Sequence, residues 1–321
     1  MTEPAPGFAI GRVVRGDAKV YHVDVDGEVR QYAPRGKLFD TLDPDVKTPV
    51  AVGDMVRVSL DGDPPGVEEV LERRNYLSRV ASSHDPREQI LFANVDQLVL
   101  IASLDQPRFS SSRTDRILAA CEYNEIPTVL VLNKIDLDTE GVASEIRWTY
   151  EEAGVRVVET SATEGTGVDE LAALLPGKIT AFYGVSGAGK STILNRLQPD
   201  LELKTGKISR YWEAGRHTTT FSRMHRLEAL DAWAIDTPGI RVFRLHGINK
   251  AELRDCFPEF EPFQRDCRYL NCSHDHEPEC AVFAAVERGE LAPTRYQSYA
   301  EILDELVPPP EDDTPVEPPE G

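Results

Sequence analysis

The sequence predicts a multidomain protein: an N-terminal β-barrel with the oligonucleotide-binding (OB) type as one candidate, a central circularly permuted α/β P-loop domain, and a C-terminal α-helical domain built around a metal cluster. Three observations predict this. Residues 8–72 read as several short alternating strands, continuous apolar strands then alternate with helices, and three cysteines crowd around a histidine near residue 270. A length of 321 residues suits two or three domains. The expected divisions are 1–82 for the barrel, 83–245 for the nucleotide domain, 246–306 for the metal domain and 307–321 for a tail.

The barrel rests on period-two patterning. "YHVDVDGEV" sets Val23 and Val25 between polar residues and turns at Asp26-Gly27, a hairpin signal. "DMVRVSL" repeats the alternation with Val56, Val58 and Leu60 on one face, and "DGDPPG" follows as a turn. Such strands within about 65 residues suggest a small barrel.

In the central region "QLVLIAS" (97–103) and "TVLVLN" (128–133) are apolar runs of strand length. Between them, "SSRTDRILAACEYNEI" has helical spacing in Ile117, Leu118 and Cys121. Buried strands alternating with helices predict a parallel sheet covered on both faces. The texture continues through "VRVVETSA", "ITAFYGVSGAGKSTILNRL" and "AWAIDTPG", and stops after about residue 246. A helical segment is expected from about Ala281, and the Pro- and acid-rich tail "VPPPEDDTPVEPPEG" has no apolar periodicity and reads as disordered.

The formal net charge of −20 argues against non-specific nucleic-acid binding by the whole surface. Residues 201–226 differ: Lys204, Lys207, Arg210, Arg216, Arg223 and Arg226 oppose only Glu202 and Glu213, a local +4. No run of eighteen apolar residues and no basic-then-apolar leader is present, so membrane insertion and secretion are not indicated and a cytoplasmic monomer is the default expectation.

"GVSGAGKST" fits G-x-x-x-x-G-K-[ST] and sits between a strand and a helix, as that motif requires. The loop Gly184, Val185, Ser186, Gly187, Ala188 and Gly189 is expected to wrap nucleotide phosphates with backbone N–H groups, followed by Lys190, Ser191 and Thr192. Lys190 would reach the β- and γ-phosphates, and Ser191 would ligate Mg²⁺. "AIDTPG" supplies Asp236 to hold Mg²⁺ through water, and Gly239, whose amide can approach the γ-phosphate.

"NKID" (Asn133, Lys134, Ile135, Asp136) selects the base. A carboxylate at Asp136 accepts two N–H donors from guanine, a pairing adenine cannot offer. Asn133 can bond the base or tie its loop to the phosphate loop, and the Lys134 stem can lie along the ring. In "TSA", Ser161 and Ala162 could support the base. The base loop thus precedes the phosphate loop, the reverse of the usual order. Joining the old termini and cutting an exposed loop leaves every strand neighbour unchanged, so permutation reconciles both motifs.

"CRYLNCSHDHEPEC" gives C-x4-C-x-H-x5-C through Cys267, Cys272, His274 and Cys280. Three thiolates and an imidazole form a closed set suited to one structural zinc, with no position left for substrate. By spacing alone His276 could replace His274. Cys121 and Cys256 read as packed thiols.

Together these residues resemble the RsgA (YjeQ/YloQ) GTPases over roughly residues 8–303. The resemblance also covers "RGKL", "VGDMV", "KTGKIS" and "GRHTTT". It implies an OB barrel, a permuted GTPase core and a zinc domain, with GTP hydrolysis that is slow alone and stimulated by the small ribosomal subunit, and it gives the basic segment 201–226 a ribosomal RNA partner. It favours His274 over His276, and makes "GRHTTT" the first switch, where Thr219 would close over Mg²⁺. The position after Gly239 is Ile240, which cannot orient water as a glutamine would. His217 is the candidate for that task, an RNA contact or plain exposure being its alternatives. Because the second switch leads straight into the zinc domain, GTP is expected to favour a subunit-docked arrangement and GDP release. The alternative function is a GTP-gated rRNA-binding module in which hydrolysis is incidental.

Overall fold

A computed structural model describes residues 7–17, 20–35, 38, 43–61, 65–204, 222–239, 242–275 and 277–306. His217, Thr219, Ile240, His276 and the tail lie outside the described residues.

Alternating valines close the first five strands on themselves: β1 (Phe8–Gly16), β2 (Tyr21–Val25), β3 (Glu28–Pro34), β4 (Met55–Ser59) and β5 (Gly66–Val70). The order runs β1-β2-β3-β5-β4 and back to β1, so the barrel has no open edge. Val13, Val23, Tyr32, Val56, Val58 and Val67 fill its interior. The Asp26-Gly27 turn is as expected, with φ of 53° and 87°, both positive as a type I′ hairpin needs. Leu60 is not on the Val56/Val58 face. The strand ends at Ser59, so the period-two pattern no longer governs Leu60, and it is 47% exposed.

A hairpin, β6 (Tyr76–Ser82) and β7 (Asp85–Ala93), follows, and the expected 82/83 boundary falls in its turn. The central sheet adds β8 (Gln97–Ser103), β9 (Thr128–Asn133), β10 (Arg156–Thr160), β11 (Ile179–Gly184), β12 (Arg223–Leu227) and β13 (Ala232–Asp236). Their order is β10-β9-β8-β11-β13-β12, all parallel except β12. Its helices are α1 (Ser111–Tyr123), α2 (Val142–Glu152), α3 (Val168–Ala172) and α4 (Lys190–Leu197). Two apolar clusters, one containing Leu98, Leu100 and Leu130 and the other Val99, Ile101 and Val131, line opposite faces. Continuous apolar strands therefore appear where the sheet is covered twice. A β-bulge in β1 re-aims its end so that Arg15 pairs with Arg223 of β12, joining barrel and central sheet.

The last unit comprises short turns at Leu253–Cys256 and Pro258–Phe260, then α5 (Glu261–Gln264), α6 (Ala281–Glu287) and α7 (Pro293–Glu305). Phe257, Phe260 and Tyr299 form its core, with the Phe257 and Tyr299 rings edge-on at 5.2 Å, and Ala119 of α1 packs into it. No helix among the described residues is long and apolar enough to cross a membrane.

Candidate nucleotide-binding site and cysteine cluster

Four strands deliver their motifs to one edge of the sheet. β9 ends at Asn133, β10 at Thr160, β11 at Gly184 and β13 at Asp236. Parallel sheets bind ligands in the crevice outside these carboxyl ends.

Asn133 is the keystone of the base side. It is 1% exposed, and its Nδ2 donates to the Ala188 carbonyl of the phosphate loop at 2.8 Å. Its Oδ1 accepts from Thr160 Oγ1 at 3.0 Å and from the Ala162 amide at 3.1 Å. One amide thus ties base loop, support loop and phosphate loop together, the second of the two roles the sequence left open. Gly189 makes this approach possible. It has φ +103°, and a Cβ there would lie 2.0 Å from Asn133 Nδ2. Asp136 follows in a short turn (Ile135–Leu137) and is exposed, its carboxylate free to meet a base edge. Lys134 adopts φ 66°, and its ammonium donates to the Gln106 carbonyl. Burial lowers its pKa, while Asp105 and Asp136 oppose that shift.

Ser161 and Ala162 are both buried. The Ala162 carbonyl accepts from Arg196 Nε at 3.0 Å, and Ser161 Oγ lies 3.2 Å from Thr163 Oγ1. Sequence reasoning missed Arg196, a structural brace from α4, because it falls outside every phosphate-loop position. It also passed over Thr160, although that residue opens the quoted "TSA".

On the phosphate side, Val185, Ser186, Gly187 and Ala188 form the loop between β11 and α4, and Lys190, Ser191 and Thr192 begin the helix. Lys190 Nζ is ion-paired with Asp236. Thr237 Oγ1 donates to the Phe182 carbonyl at 2.7 Å, which fastens the acid's loop to β11. A Cβ on Gly239 would stand 3.1 Å from the Ser186 amide, so this glycine rests on the phosphate loop. His225 of β12 was not singled out in the sequence. Burial, then Arg223, lower its pKa, Asp236 raises it and Lys190 lowers it, which puts the imidazole in the field of that ion pair.

The ligand atoms of Cys267, Cys272, His274 and Cys280 all lie within 4.8 Å of one another. His274 Nδ1 faces Cys280 Sγ at 3.5 Å and Cys267 Sγ at 3.6 Å. The Ala281 amide donates to Cys267 Sγ and the Phe283 amide to Cys280 Sγ, both at 3.4 Å, as suits thiolate ligands. This donor set is compatible with zinc. The loop is braced by Glu277, which accepts from the Ser273 amide and hydroxyl, each at 2.7 Å. Burial works against that carboxylate, but the donors hold its pKa down to about 2. Cys121 and Cys256 are buried apart from the cluster, and burial pushes both thiols up to about 12.

A phosphate loop, an Asp-x-x-Gly loop and an Asn-Lys-x-Asp loop at one sheet edge, with the base loop first in the chain, define a circularly permuted P-loop GTPase. The family model described as RsgA GTPase matches residues 70–246. The chain belongs to the RsgA GTPase family. It is 41% identical over 264 residues to the small ribosomal subunit biogenesis GTPase RsgA 2 of Bacteroides thetaiotaomicron, covering 80% of this chain and 84% of that one. The RsgA of Alkaliphilus metalliredigens is 36% identical over 299 residues, covering 92% and 97%. The crystal structure of YjeQ from Thermotoga maritima superposes with a TM-score of 0.72 at 33% identity, covering 93% of this chain and 98% of that one. That of YloQ, described as a circularly permuted GTPase, gives 0.67 at 28%, covering 95% and 97%.

Proposed function

We propose that this GTPase acts in maturation of the small ribosomal subunit, hydrolysing GTP with stimulation by the subunit and its rRNA. The observation that carries the substrate is the Asn133 clamp, which fixes the base loop against the phosphate loop and leaves Asp136 open to guanine. The partner is inferred from what the relatives are described as doing and from the barrel, a fold that suits oligonucleotides.

Asp136 reads the base, backbone amides of residues 184–189 cradle the phosphates, and Lys190 exchanges Asp236 for the β- and γ-phosphates. Ser191, Thr219 and Asp236 are the residues to hold Mg²⁺, which would neutralise phosphate charge. His217 is proposed to orient the attacking water, because Ile240 offers no polar group. Cys267, Cys272, His274 and Cys280 would hold one structural zinc. The proposed divisions remain residues 1–82, 83–245, 246–306 and 307–321, in a monomer of the cytoplasm.

The test is GTP turnover with and without purified small subunits, where a rise of at least about ten-fold is expected, equivalent to about 1.4 kcal/mol of barrier. His217→Ala should abolish that rise while sparing GTP affinity. Asp136→Asn should shift preference from guanosine to xanthosine triphosphate, and unchanged use of GTP would refute the base assignment. Subunits that leave turnover unchanged but bind only the GTP form would establish the gated RNA-binding module instead.

A further inference from the structure

A cavity of about 600 Å³ lies behind the phosphate loop, between the β6–β7 hairpin, α1 and α7. Its walls include Val185 of the phosphate loop, Tyr183 of β11, and Val242 to Leu245, the chain that leaves the second switch. Three guanidiniums border it: Arg113, Arg116 and Arg244. Arg116 is satisfied by a bidentate pair with Glu305. Among the described residues, Arg113 donates to the Arg108 carbonyl at 3.0 Å, neither it nor Arg244 forms a close ion pair, and Arg244 feels Glu305 only at longer range. Three guanidiniums against the single carboxylate of Glu305, which Arg116 pairs with and Arg244 faces at longer range, leave this cavity wall positive in a chain of net charge −20. Tyr183 adds a buried hydroxyl with no hydrogen-bond partner among the described residues, and Val242 exposes 62% of its surface. The site therefore asks for an occupant with carboxylates and some apolar surface.

We propose that the occupant is the chain's own segment 307–321. Leu306 is itself part of the cavity wall, and the segment begins at the next residue. It contains no Lys or Arg, and Pro308, Pro309 and Pro310 lead directly into Glu311, Asp312 and Asp313. A proline run favours an extended polyproline II chain of about 3.1 Å per residue, which puts Glu311 up to about 15 Å from Leu306, enough to cross the cavity. The carboxylates then pair with Arg113 and Arg244, and the proline rings cover Val242. The preset backbone lowers the ordering entropy of docking.

Docking here fixes the segment after the second switch. The Arg244 carbonyl already accepts from the Val80 amide at 3.1 Å, and the Phe243 ring stands edge-on to Tyr183 at 5.9 Å. A bound tail holds these contacts and so restrains the second switch in cis. That last step rests on the proposed GTPase cycle, whereas docking itself does not.

Hydrogen exchange on the full chain tests the docking. Three forms are compared: native, a tail variant carrying Glu311→Gln, Asp312→Asn and Asp313→Asn, and a wall variant carrying Arg113→Gln and Arg244→Gln. Amides at 80 and 242–245 should exchange at least about ten-fold faster in both variants and in the native chain at high salt, because exposed charge pairs are screened. A synthetic peptide of residues 307–321 should restore protection to the tail variant and not to the wall variant. Equal protection in native and tail-variant chains would overturn the proposal. So would failure of the peptide to rescue, equal rescue by a short RNA oligomer, or concentration-dependent protection showing that a second copy fills the site.

Discussion

The central domain is joined to its two flanks by different physics. On the barrel side the joint is mainly backbone, since the ion pairs that cross it, Lys47–Asp85 and Arg74–Asp96, are partly exposed. The Ala93 amide donates to the Val52 carbonyl at 2.9 Å, the Lys47 amide to the Glu88 carbonyl at 2.7 Å and the Glu88 amide to the Asp45 carbonyl at 2.8 Å, while Asn94 Nδ2 donates to the Gly53 carbonyl at 3.2 Å. The fit is so close that a Cβ on Gly53 would lie 2.0 Å from the Ala93 carbonyl oxygen. On the cysteine-cluster side the joint is ionic. Arg295 donates to Asp115 of α1 at 2.6 Å and to Glu259 at 2.7 Å, with side-chain exposures of 4%, 0% and 7% for Arg295, Asp115 and Glu259. Its guanidinium also lies over Phe257 at 4.6 Å and Tyr150 at 5.6 Å. Burial disfavours its charge, but the two carboxylates outweigh that and raise its pKa. A backbone joint tolerates small shifts, whereas a buried ionic joint is either intact or leaves charges bare. Any GTP-driven movement of the cysteine cluster relative to α1 must therefore carry the triad along or break it whole.

The largest expected effect comes from breaking the ionic joint on one side only. Arg295→Met strands two buried carboxylates and should cost about 3–5 kcal/mol. Adding Asp115→Leu and Glu259→Leu should recover most of it, since an apolar replacement of a whole buried ion cluster is often neutral. Urea unfolding measures both. A loss under about 1 kcal/mol for the single variant would show that the joint is not ionic in effect.

The backbone joint is probed by Gly53→Ala. Its φ of +95° disfavours a side chain by about 1–2 kcal/mol, and overpacking against Ala93 adds about 1–3 kcal/mol. Gly27→Ala is the control, since φ there is +87° but nothing lies within 4 Å. If the two variants melt alike, the close approach contributes nothing and only the turn geometry counts.

How much of this was legible beforehand follows from where the information sits. The nucleotide loops were readable because phosphate and guanine each demand particular residue types at fixed spacing, and those residues are local in sequence. The cysteine set was readable for the same reason. Asn133 showed its identity but not its partner, because Ala188 is fifty-five positions away and only the fold decides between base and loop. Arg196, Asp115 and Arg295 carried no signal, since their partners are distant in sequence and they satisfy no repeated pattern, and Gly53 was legible only as part of "VGDMV", not as a close approach to Ala93. Leu60 shows the opposite failure, a pattern read one residue past the strand that enforces it.

The smallest expected effect lies at a third contact, where the chain leaving the Asp-x-x-Gly loop meets the hairpin. His246 Nδ1 is 3.5 Å from Glu88, and the pair bridges the segment after the Asp-x-x-Gly loop to β7. The hydrogen bond to Glu88 raises the His246 pKa above its ordinary 6.5, with burial opposing and Asp45 and Asp43 helping. Burial pushes Glu88 up, but His246 and Ser78 more than compensate, so its pKa is lowered. Because the histidine's folded value is raised, its contribution is complete below 6.5 and fades as pH rises through the higher folded value. Because the glutamate's is depressed, its contribution is complete above its ordinary 4.5 and fades as pH falls through the lower folded value. The contact is therefore strongest between about pH 4.5 and 6.5, and with His246 one-third exposed it is worth at most about 1 kcal/mol. His246→Gln should flatten the decline in stability that sets in as pH rises above 6.5, and leave stability unchanged once the native imidazole is neutral. A parallel downward shift at every pH would mean that the imidazole serves there by packing rather than by charge.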